Sequence, residues 1–593
     1  MNHFSPVEKH FFNLQDIKNQ TTNIPYIVLE SFPQLGLITS LRFLEWASEN
    51  PEGVISLPTG KTPEYFIKWT HHILNNWDNK ELVDLRKENG LTIDSKPDLT
   101  NLRFVQIDEF YPLNPKQHNS FYNYVCKYYI EGFGMSLDNA LLINSDEIPL
   151  FNNKDRRKIF PDNMIDLTLR FREADNDKEK EEQESILLID QWCAEYENKI
   201  RSLGGIGFFL GGIGPDGHIA FNVRGSDHNS TTRLTGTNFE TQAAAATDLG
   251  GIEISRNRLV ITIGLRTITY NPEATGIIIA AGEAKSLIIK NSLEHSPDVK
   301  YPATALTRLK HSCFYITKGA AKLLSDTEND YWENKTWSRA KKQKSLLALS
   351  KRLNVFGKKL SLENLKKDPH CKNIPNLNEN TVSEIINDID KKVQKGSKQE
   401  TDQIFYHTGP HHDDIMLGLM PYIIQLIREP SNYHHFVNMT SGFTSVTNDF
   451  IIDILSDTLS FLNDGKIQMS EYGDFFEKGY KKKWDKDVFH YLDAIANNDI
   501  MEQKRGMSHR VVRALIEIYN ITNKNTLKVC IDNVLSELNT YYDGQKNSKE
   551  TQKLKGMIRE YEEELVWANY GVRVHDVHHL RLGFYQGEIF TEN

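Results

Sequence analysis

Asp216 and His218 stand two residues apart in the glycine-rich stretch 211–218 (GGIGPDGH). A carboxylate at this spacing can orient an imidazole, or share a proton with it, near neutral pH. The glycines allow positive φ angles and a close approach of the backbone to a ligand. The pattern predicts a catalytic Asp–His pair, although a histidine on its own is more often structural.

Two adjacent carboxylates, Asp108 and Glu109, follow the β-like run 102–107. Neighbouring side chains of a strand point to opposite sides, so only one of the two can face a site. A partly buried aspartate can serve as a general base, which makes Asp108 a candidate catalytic residue. The alternative is that the pair caps a helix or lies in a solvated turn.

The loop 57–63 (LPTGKTP) separates a β-like run from the helix-like segment 64–69. A strand, a Gly/Thr loop and a helix start together present backbone N–H groups and a positive dipole end to an anion. Gly60, Lys61 and Thr62 are therefore candidate phosphate-binding residues, and Lys61 adds a full charge. The alternative is an ordinary turn between a strand and a helix.

Histidines and aspartates also cluster at 407–414 (HTGPHHDD) and at 575–579 (HDVHH). Imidazole and carboxylate groups are zinc ligands, and a spare aspartate can activate a water molecule. Two ligands close in sequence and one distant histidine are a common plan for a catalytic zinc. The two clusters predict a metal site in the last third of the chain.

The elements that must position these residues alternate between β-like runs and helices over the first 320 residues or so. The predicted strands are 54–57, 102–107, 206–210, 259–263, 276–280 and 313–316, with helices such as 34–48 and 187–202 between them. This alternation predicts an α/β fold with a mostly parallel sheet covered on both faces. Ligands of such sheets bind at the carboxyl ends of strands, where the three N-terminal stretches lie.

The residue composition and the pattern of strand-like runs change twice along the chain. Residues 326–400 are rich in Lys and Asn and have no strand-like run, which predicts a helical polar connector. Strand patterns return at 403–406 and 435–438, followed by helices such as 508–519. We therefore expect an α/β domain at 1–325, the connector at 326–400 and a second α/β domain at 401–593.

Composition narrows the class of protein. The 593 residues carry a net charge of −10, which argues against bulk binding of nucleic acid. No apolar run reaches the roughly 18 residues that a membrane helix needs, and the first residues do not resemble a signal peptide. Five scattered cysteines form no disulfide framework and no CxxC pair. We expect a cytoplasmic enzyme that does not bind membranes and forms a homo-oligomer.

The three N-terminal stretches, with 282–285 (GEAK), resemble the glucosamine-6-phosphate deaminase (isomerase) family over roughly residues 25–325. The resemblance implies a modified doubly wound α/β sheet and a phosphorylated amino sugar as substrate. Asp108 would move the proton between C2 and C1, and His218 would open the sugar ring with help from Asp216. The implied substrate-binding residues are Gly60, Lys61, Thr62, Arg233 and Lys285. The resemblance implies no metal or organic cofactor for this domain.

Two positions depart from the family pattern. Val223 replaces a catalytic Glu after Ala-Phe-Asn, and an ungapped count places Thr247 where the family has a phosphate-binding Arg. Lys61 could supply the missing positive charge. A slow deaminase, a non-catalytic sugar-phosphate sensor that regulates the C-terminal domain, and a hydrolase similar to phosphogluconolactonases are the alternatives left open.

The stretch 410–414 (PHHDD) resembles the His-Pro-Asp-Asp-Glu signature of PIG-L/LmbE-type zinc N-deacetylases, over roughly residues 401–593. The resemblance implies zinc ligands at His411, Asp414 and His578. It implies Asp413 as general base and His575 as a transition-state partner. The implied substrate is an N-acetylated amino sugar. Taken together, the two resemblances predict a bifunctional hydrolase of carbon–nitrogen bonds in amino-sugar metabolism.

Overall fold

The chain folds into two units, each combining a parallel sheet with helices. The structure is a computed structural model that describes residues 4–249, 251–542 and 544–583. Within these residues, the first unit consists of 4–330 with 542 and 544–546, and the second of 331–541 and 547–583. This architecture confirms the α/β class. The domain boundaries at 325 and 400 stay predictions.

The first unit is built on a seven-stranded parallel sheet in the order β1-β10-β9-β6-β2-β3-β5. A separate antiparallel sheet has the order β4-β8-β7. The strands are β1 Tyr26–Leu29, β2 Val54–Ser56, β3 Arg103–Val105, β4 Asp108–Tyr111, β5 Ala140–Leu141, β6 Phe208–Gly212, β7 Arg233–Thr235, β8 Leu259–Thr262, β9 Thr275–Ala280 and β10 His311–Thr317.

Helices cover both faces of the large sheet, so β9 is buried at every position, as a doubly covered strand should be. The helices are α1 Pro6–Leu14, α2 Phe32–Glu49, α3 Glu64–Asn75, α4 Lys80–Glu88, α5 Phe121–Val125, α6 Arg156–Ile159, α7 Asp177–Ser202, α8 Phe239–Leu249, α9 Ile252–Asn257, α10 Leu265–Ile268, α11 Ser286–Glu294, α12 Lys318–Ala321 and α13 Ser325–Glu333. The short 3₁₀ helix Glu283–Lys285 lies between β9 and α11.

The strand order of the large sheet reverses between β2 and β6. From β2 the chain proceeds to β3 and β5 on one side, and it then returns to β6, β9 and β10 on the other side. In open α/β sheets, ligands bind in the crevice outside the carboxyl ends of the strands at such a switch point. The loops after β2 and β6 flank this crevice.

The second unit has a three-stranded parallel sheet in the order β11-β12-β13. The strands are β11 Ile404–Gly409, β12 Tyr433–Asn438 and β13 Val577–His579. The helices are α14 Arg339–Leu353, α15 Leu362–Lys367, α16 Thr381–Ser397, α17 Asp414–Ile427, α18 Asn448–Asn463, α19 Gly473–Glu477, α20 Asp485–Ala496, α21 Ile500–Tyr519, α22 Lys524–Thr540 and α23 Lys549–Asn569. None of the described helices is both long and apolar enough to cross a membrane.

The segment predicted as a polar connector is helical. Helices α14 to α16 enclose a small apolar cluster of their own that includes Leu346, Leu365 and Val382. A larger core joins α18, α21, α22 and α23. The second unit is therefore mostly helical, and its small sheet receives β13 from far along the chain.

Candidate active site in the first unit

Four neighbouring strands deliver the predicted site residues to one edge of the large sheet. Strands β9, β6, β2 and β3 are adjacent and parallel. Their carboxyl ends lead into 281–285, 213–222, 57–63 and 106–108 respectively. The loops after β2 and β6 lie against each other, because a Cβ built on Gly212 would lie 3.1 Å from Cγ2 of Thr62. The structure thus brings the stretches singled out in the sequence to one place.

Asp216 and His218 form a hydrogen-bonded pair. Nδ1 of His218 lies 2.5 Å from Oδ1 of Asp216, and Oγ1 of Thr241 lies 3.2 Å from the same nitrogen. A Cβ on Gly214 would lie 2.0 Å from Cε1 of His218, so the ring can occupy this position only because residue 214 has no side chain. The carboxylate orients the imidazole through Nδ1, as the two-residue spacing predicts.

Further donors keep Asp216 ionised. Its Oδ2 accepts hydrogen bonds from the backbone N–H of Arg224 at 3.1 Å and from Nδ2 of Asn238 at 2.6 Å. Burial alone would raise the pKa of Asp216, but the hydrogen bond and charge of His218, with these two donors, hold the pKa well below its usual range. Asp216 is therefore a fixed negative charge behind the imidazole.

The adjacent carboxylates Asp108 and Glu109 have different surroundings. Glu109 accepts hydrogen bonds from Oγ of Ser120 at 2.7 Å and from the backbone N–H groups of Phe121 at 3.1 Å and Tyr122 at 2.7 Å. It caps the start of α5. Burial raises the pKa of Glu109 to about 7, and these donors oppose the rise. Glu109 has a structural role.

Asp108 is 6 % exposed at the start of β4. Burial raises the pKa of its carboxyl well above the usual range, and the charge of Glu109 raises it further. A buried carboxyl with a raised pKa is suited to exchanging protons with a substrate.

A row of side chains across the antiparallel sheet connects Asp108 to the glycine-rich loop. In register, Asp108 lies beside Thr262, and Thr262 lies beside Arg233, so all three share one face. The N–H of Phe221 donates to Oγ1 of Thr262 at 3.1 Å, and Nη1 of Arg233 donates to Oδ1 of Asn222 at 3.0 Å. The end of the glycine-rich loop is thereby attached to the sheet that carries Asp108.

Two predicted phosphate-binding segments flank the same loop. Nζ of Lys285 donates to the carbonyl of Ile213 at 2.9 Å. Burial lowers the pKa of Lys285, and the charge of Asp216 opposes this shift. Lys61 and Thr62 are exposed just before α3 begins, and Gly60 has a φ of 79°. The charges of Lys61 and Lys285 and the start of α3 are groups of the kind that bind anions.

The structure describes the first position that departs from the family pattern, but not the side chain at the second. Val223 lies between Asn222 and Arg224, so the loop carries no carboxylate at the position of the family Glu. Thr247 lies on α8, and its side chain is outside the described part of the structure.

A separate cleft of about 380 Å³ runs along α7, with Cys193, Glu197 and Arg201 in its lining. It reaches Arg233 but not Asp108, Asp216 or His218. We therefore place the candidate site at the sheet edge, where the titratable groups converge, and not in this cleft.

Candidate metal site in the second unit

The structure does not bring the ligands implied by the resemblance, His411, Asp414 and His578, together. Asp414 accepts the backbone N–H of His411 at 2.9 Å, while Nδ1 of His411 lies 2.5 Å from Oγ1 of Thr440. His578 is exposed, with Nε2 3.4 Å from Nδ1 of His435. These three side chains do not form a three-ligand group among the described residues.

The two other predicted residues of this region also lie apart. Asp413 is half-exposed and lies 3.8 Å from a guanidinium nitrogen of Arg559. His575 packs edge-on against Trp484, with ring centroids 5.0 Å apart.

A different set of side chains comes together in the interior of the second unit. His412, Glu563 and His579 each offer a ligand atom, and these atoms lie within 4.8 Å of one another. Both ring nitrogens of His412 and of His579 are buried without a hydrogen-bond partner among the described residues. Burial, then the charges of His579 and Arg559, lowers the pKa of His412 to about 3. Two imidazoles and a carboxylate fit a zinc-type divalent ion.

Sequence reasoning missed Glu563, although α23 contains a signal for it. Glu560, Glu563 and Glu564 have the spacing of one helix face, and all three are buried, as is Trp567 four residues after Glu563. Carboxylates at the buried positions of an amphipathic helix indicate partners in the interior. Asn238, Thr241 and Thr262 had no such signal.

Comparison with known proteins

No family model matches the chain. Its N-terminal half matches curated glucosamine-6-phosphate deaminases. A glucosamine-6-phosphate isomerase of Candida albicans is 38 % identical over 20 % of this chain and 48 % of its own length. A deaminase of Borreliella afzelii is 25 % identical over 45 % and 78 % of the two lengths, and deaminase 2 of Giardia intestinalis 26 % identical over 49 % and 88 %. This chain thus spans about half of the Candida relative.

Among solved structures, a monomeric glucosamine-6-phosphate deaminase of the NagB superfamily aligns with 51 % of this chain and 100 % of its own, at 21 % identity and a TM-score of 0.39. The 6-phosphogluconolactonase from Trypanosoma cruzi aligns with 51 % and 97 % of the two chains, at 17 % identity and a TM-score of 0.33. The curated relatives are named isomerases and deaminases, so the broader prediction of a hydrolase has no support from them.

Proposed function

We propose that the first unit binds an aldose 6-phosphate with an amino group at C2 and converts it to the ketose phosphate with release of ammonia. One observation carries this proposal. The Asp216–His218 pair, the buried Asp108 and the loops with Lys61 and Lys285 all follow adjacent strands around the switch point of the large sheet. Sequence similarity of the N-terminal half to glucosamine-6-phosphate deaminases supports the choice of substrate.

Each group has a proposed task. His218, held through Nδ1, presents Nε2 to the ring oxygen and transfers a proton during ring opening. Asp108 removes the proton at C2 and returns it at C1, which requires a carboxyl with a pKa near the working pH. Hydrolysis of the resulting imine consumes one water and releases ammonia. Lys61, Lys285 and the N–H groups before α3 bind the phosphate.

The missing carboxylate at Val223 makes ring opening the expected slow step. The imidazole of His218 has Asp216 on one side, but no second carboxylate follows Asn222 to assist it. A general acid–base group contributes about 10²–10⁴-fold to a rate, so we expect slow turnover.

The test is ammonia release from glucosamine 6-phosphate by the purified full chain and by Val223→Glu. We expect slow release by the wild type and about tenfold or faster release by the variant, within the range of one acid–base group. The matched control is Val223→Gln, which has the same shape without the charge. Turnover that Val223→Glu does not improve would show that a second carboxylate is not what limits the rate.

Binding without any turnover would favour the sensor alternative. A thermal shift with glucosamine 6-phosphate, combined with no ammonia or ketose phosphate even at high enzyme concentration, would contradict the catalytic proposal. Turnover of 6-phosphogluconolactone in place of the amino sugar would support the hydrolase alternative.

A second function, zinc-dependent N-deacetylation of an N-acetylated amino sugar, is proposed for the second unit. The buried His412–Glu563–His579 cluster near the ends of β12 and β13 favours it. A divalent ion bound there would supply Lewis-acid chemistry. Asp413, exposed beside the cluster-bearing turn, is the proposed general base. Acetate release from N-acetylglucosamine 6-phosphate tests this proposal, and its absence with every divalent metal would contradict it.

A further inference from the structure

We infer that the second unit binds a single divalent transition-metal ion through His412, Glu563 and His579. These ligands differ from His411, Asp414 and His578, which the resemblance to N-deacetylases implies. The inference concerns the site of the proposed deacetylase. It can be tested separately, because metal binding is measured without substrate.

The three ligand groups come from elements that hold them firmly. His412 lies in the turn between β11 and α17, Glu563 in the middle of α23, and His579 at the end of β13. The exposed fractions are 2 % for His412 and 1 % for Glu563, and the His579 side chain is 10 % exposed. The ligand atoms lie within 4.8 Å of one another, so small side-chain rotations would let one ion touch all three.

Unpartnered polar atoms indicate that something is bound there. Buried polar groups in proteins nearly always have a hydrogen-bond partner, since leaving one without a partner costs free energy. Here the four ring nitrogens of His412 and His579 and Oδ1 of Asn438 have none among the described residues. These atoms occur on neighbouring elements, because Asn438 and His579 are paired in register across β12 and β13. A metal ion and its water ligands would partner them together.

The surroundings of Glu563 also suit a metal ligand. Oε1 accepts a hydrogen bond from Nε1 of Trp567 at 2.9 Å, and Oε2 accepts one from Nδ2 of Asn438. These neutral donors orient the carboxylate without neutralising it, as outer partners of metal ligands do. The adjacent Glu564 is paired with Nη1 of Arg510 at 2.7 Å, and its other oxygen lies 3.6 Å from Nε2 of His579. Arg510 offsets the charge of Glu564, so Glu563 is the carboxylate assigned to the ion.

The backbone beside His412 leaves no room for a side chain. A Cβ on Gly442, whose φ is +60°, would lie 3.0 Å from Nδ1 of His412. His411 is half-buried and His578 is exposed, and neither has a buried ring nitrogen without a partner among the described residues. Each lies next in sequence to one proposed ligand, so variants of His411 and His578 are matched controls for variants of His412 and His579.

The experiment measures zinc bound to the untagged full chain after chelator treatment, reloading and gel filtration. We expect about one zinc per chain in the wild type, in His411→Gln and in His578→Gln. We expect the zinc affinity to fall at least about 100-fold in His412→Gln and in His579→Gln, because a ligand is lost. Circular dichroism in the presence of chelator establishes that each variant is folded. If a histidine variant does not fold, Glu563→Gln, which keeps the shape of the side chain, is measured in its place.

The outcomes separate the possibilities. A wild type that retains no zinc, cobalt or manganese overturns the inference. Loss of zinc in His411→Gln and His578→Gln, with retention in the other two variants, overturns it in favour of the ligands implied by the resemblance. A chain that binds zinc through His412 and His579 but releases no acetate supports the metal site and contradicts only the proposed deacetylase.

Discussion

At the scale of single residues, Asp108 couples stability to pH. The pKa of its carboxyl is raised in the folded chain by burial and then by Glu109, whereas an unfolded aspartate has a pKa of about 3.9. The folded state therefore binds the proton more tightly, and its contribution to stability is present below pH 4 and is lost as the pH rises.

We therefore expect Asp108→Asn to raise the free energy of unfolding relative to wild type at pH 8, by about 1 kcal/mol or more, and less at pH 5. Urea unfolding at the two pH values measures the difference. Turnover of the amino-sugar phosphate should fall by about 10²–10⁴-fold in the same variant.

A control without this pH dependence is Asp98→Asn. The backbone N–H and the hydroxyl of Thr100 lower the pKa of Asp98, so the stability that this carboxylate contributes is complete above about pH 4 and is lost only at lower pH. This variant should differ from wild type by nearly the same amount at pH 5 and at pH 8. A pH-independent difference for Asp108→Asn would contradict the assignment of a raised pKa.

Asp216 is expected to matter for turnover and not for binding. Asp216→Asn removes the charge behind His218 and allows the wrong imidazole tautomer, which costs about 10⁴-fold in kcat in a comparable pair. We expect a fall in kcat of about 10²–10⁴-fold, with KM changed little. Steady-state kinetics measure both constants.

The matched variant is Asn238→Ala, which removes one hydrogen bond to Asp216 and leaves its charge. It should lower kcat by less than about tenfold. Equal losses in the two variants would show that the position of the carboxylate matters more than its charge.

The residue types and spacing predict part of the site. Asp216 and His218 are two residues apart, and local geometry suffices to bring them into contact. Asn238, just before α8, contacts Asp216, and Thr241, on α8, contacts His218. No local sequence pattern indicates these two contacts. At 411 and 412 the motif identifies the turn, but only packing decides which of two consecutive imidazoles turns inward.

At the scale of elements, the position of the His218 ring in the glycine-rich loop requires that residue 214 has no side chain. Gly214→Ala would place a Cβ 2.0 Å from the His218 ring, and this ring must then move. We expect kcat/KM to fall by at least about 100-fold and the free energy of unfolding to fall by about 1–3 kcal/mol. Kinetics and urea unfolding provide the two measurements.

Gly236→Ala serves as its control, because a Cβ there meets only Leu259, at 3.9 Å. It should change the free energy of unfolding by less than about 0.5 kcal/mol and leave turnover unchanged. Normal activity in Gly214→Ala would show that the ring position seen here is not the catalytic one.

Strand patterns predict which segments are extended but not which strands pair. All six predicted strands of the first unit exist, and β2, β3, β6, β9 and β10 lie in the parallel sheet as expected. Strand β8 pairs instead with β4 and β7 in the antiparallel sheet. The apolar sequence of β8 fits either sheet, because a short buried strand has the same pattern whichever strands it pairs with. The short strands β4 and β7 carry too few residues to show a period.

At the scale of the whole molecule, the two proposed ligands should protect different units. Glucosamine 6-phosphate should slow hydrogen exchange in 57–63, 213–222 and 282–285, and zinc should slow it around 410–442 and 560–579. At a free ligand concentration of about 100 times Kd, exchange can become about 100-fold slower where it requires unfolding of the bound state. Exchange followed by mass spectrometry locates each effect.

Glucosamine without the phosphate is the control ligand, and it should protect these loops much less. Protection by the sugar phosphate confined to the second unit would contradict the placement of the substrate site. Zinc protection confined to the first unit would contradict the placement of the metal site.

The pairing of β13 with β12 determines when the second unit can be completed. His579 is in register with Asn438, and the chain between β12 and β13 forms helices α18 to α23, of which all but the short α19 contain at least 12 residues. During synthesis β11 and β12 emerge first, and contacts between such distant segments form late in folding. The nascent chain must therefore pass through a stage in which His412 is present without His579, and the proposed metal site can form only after translation has passed His579.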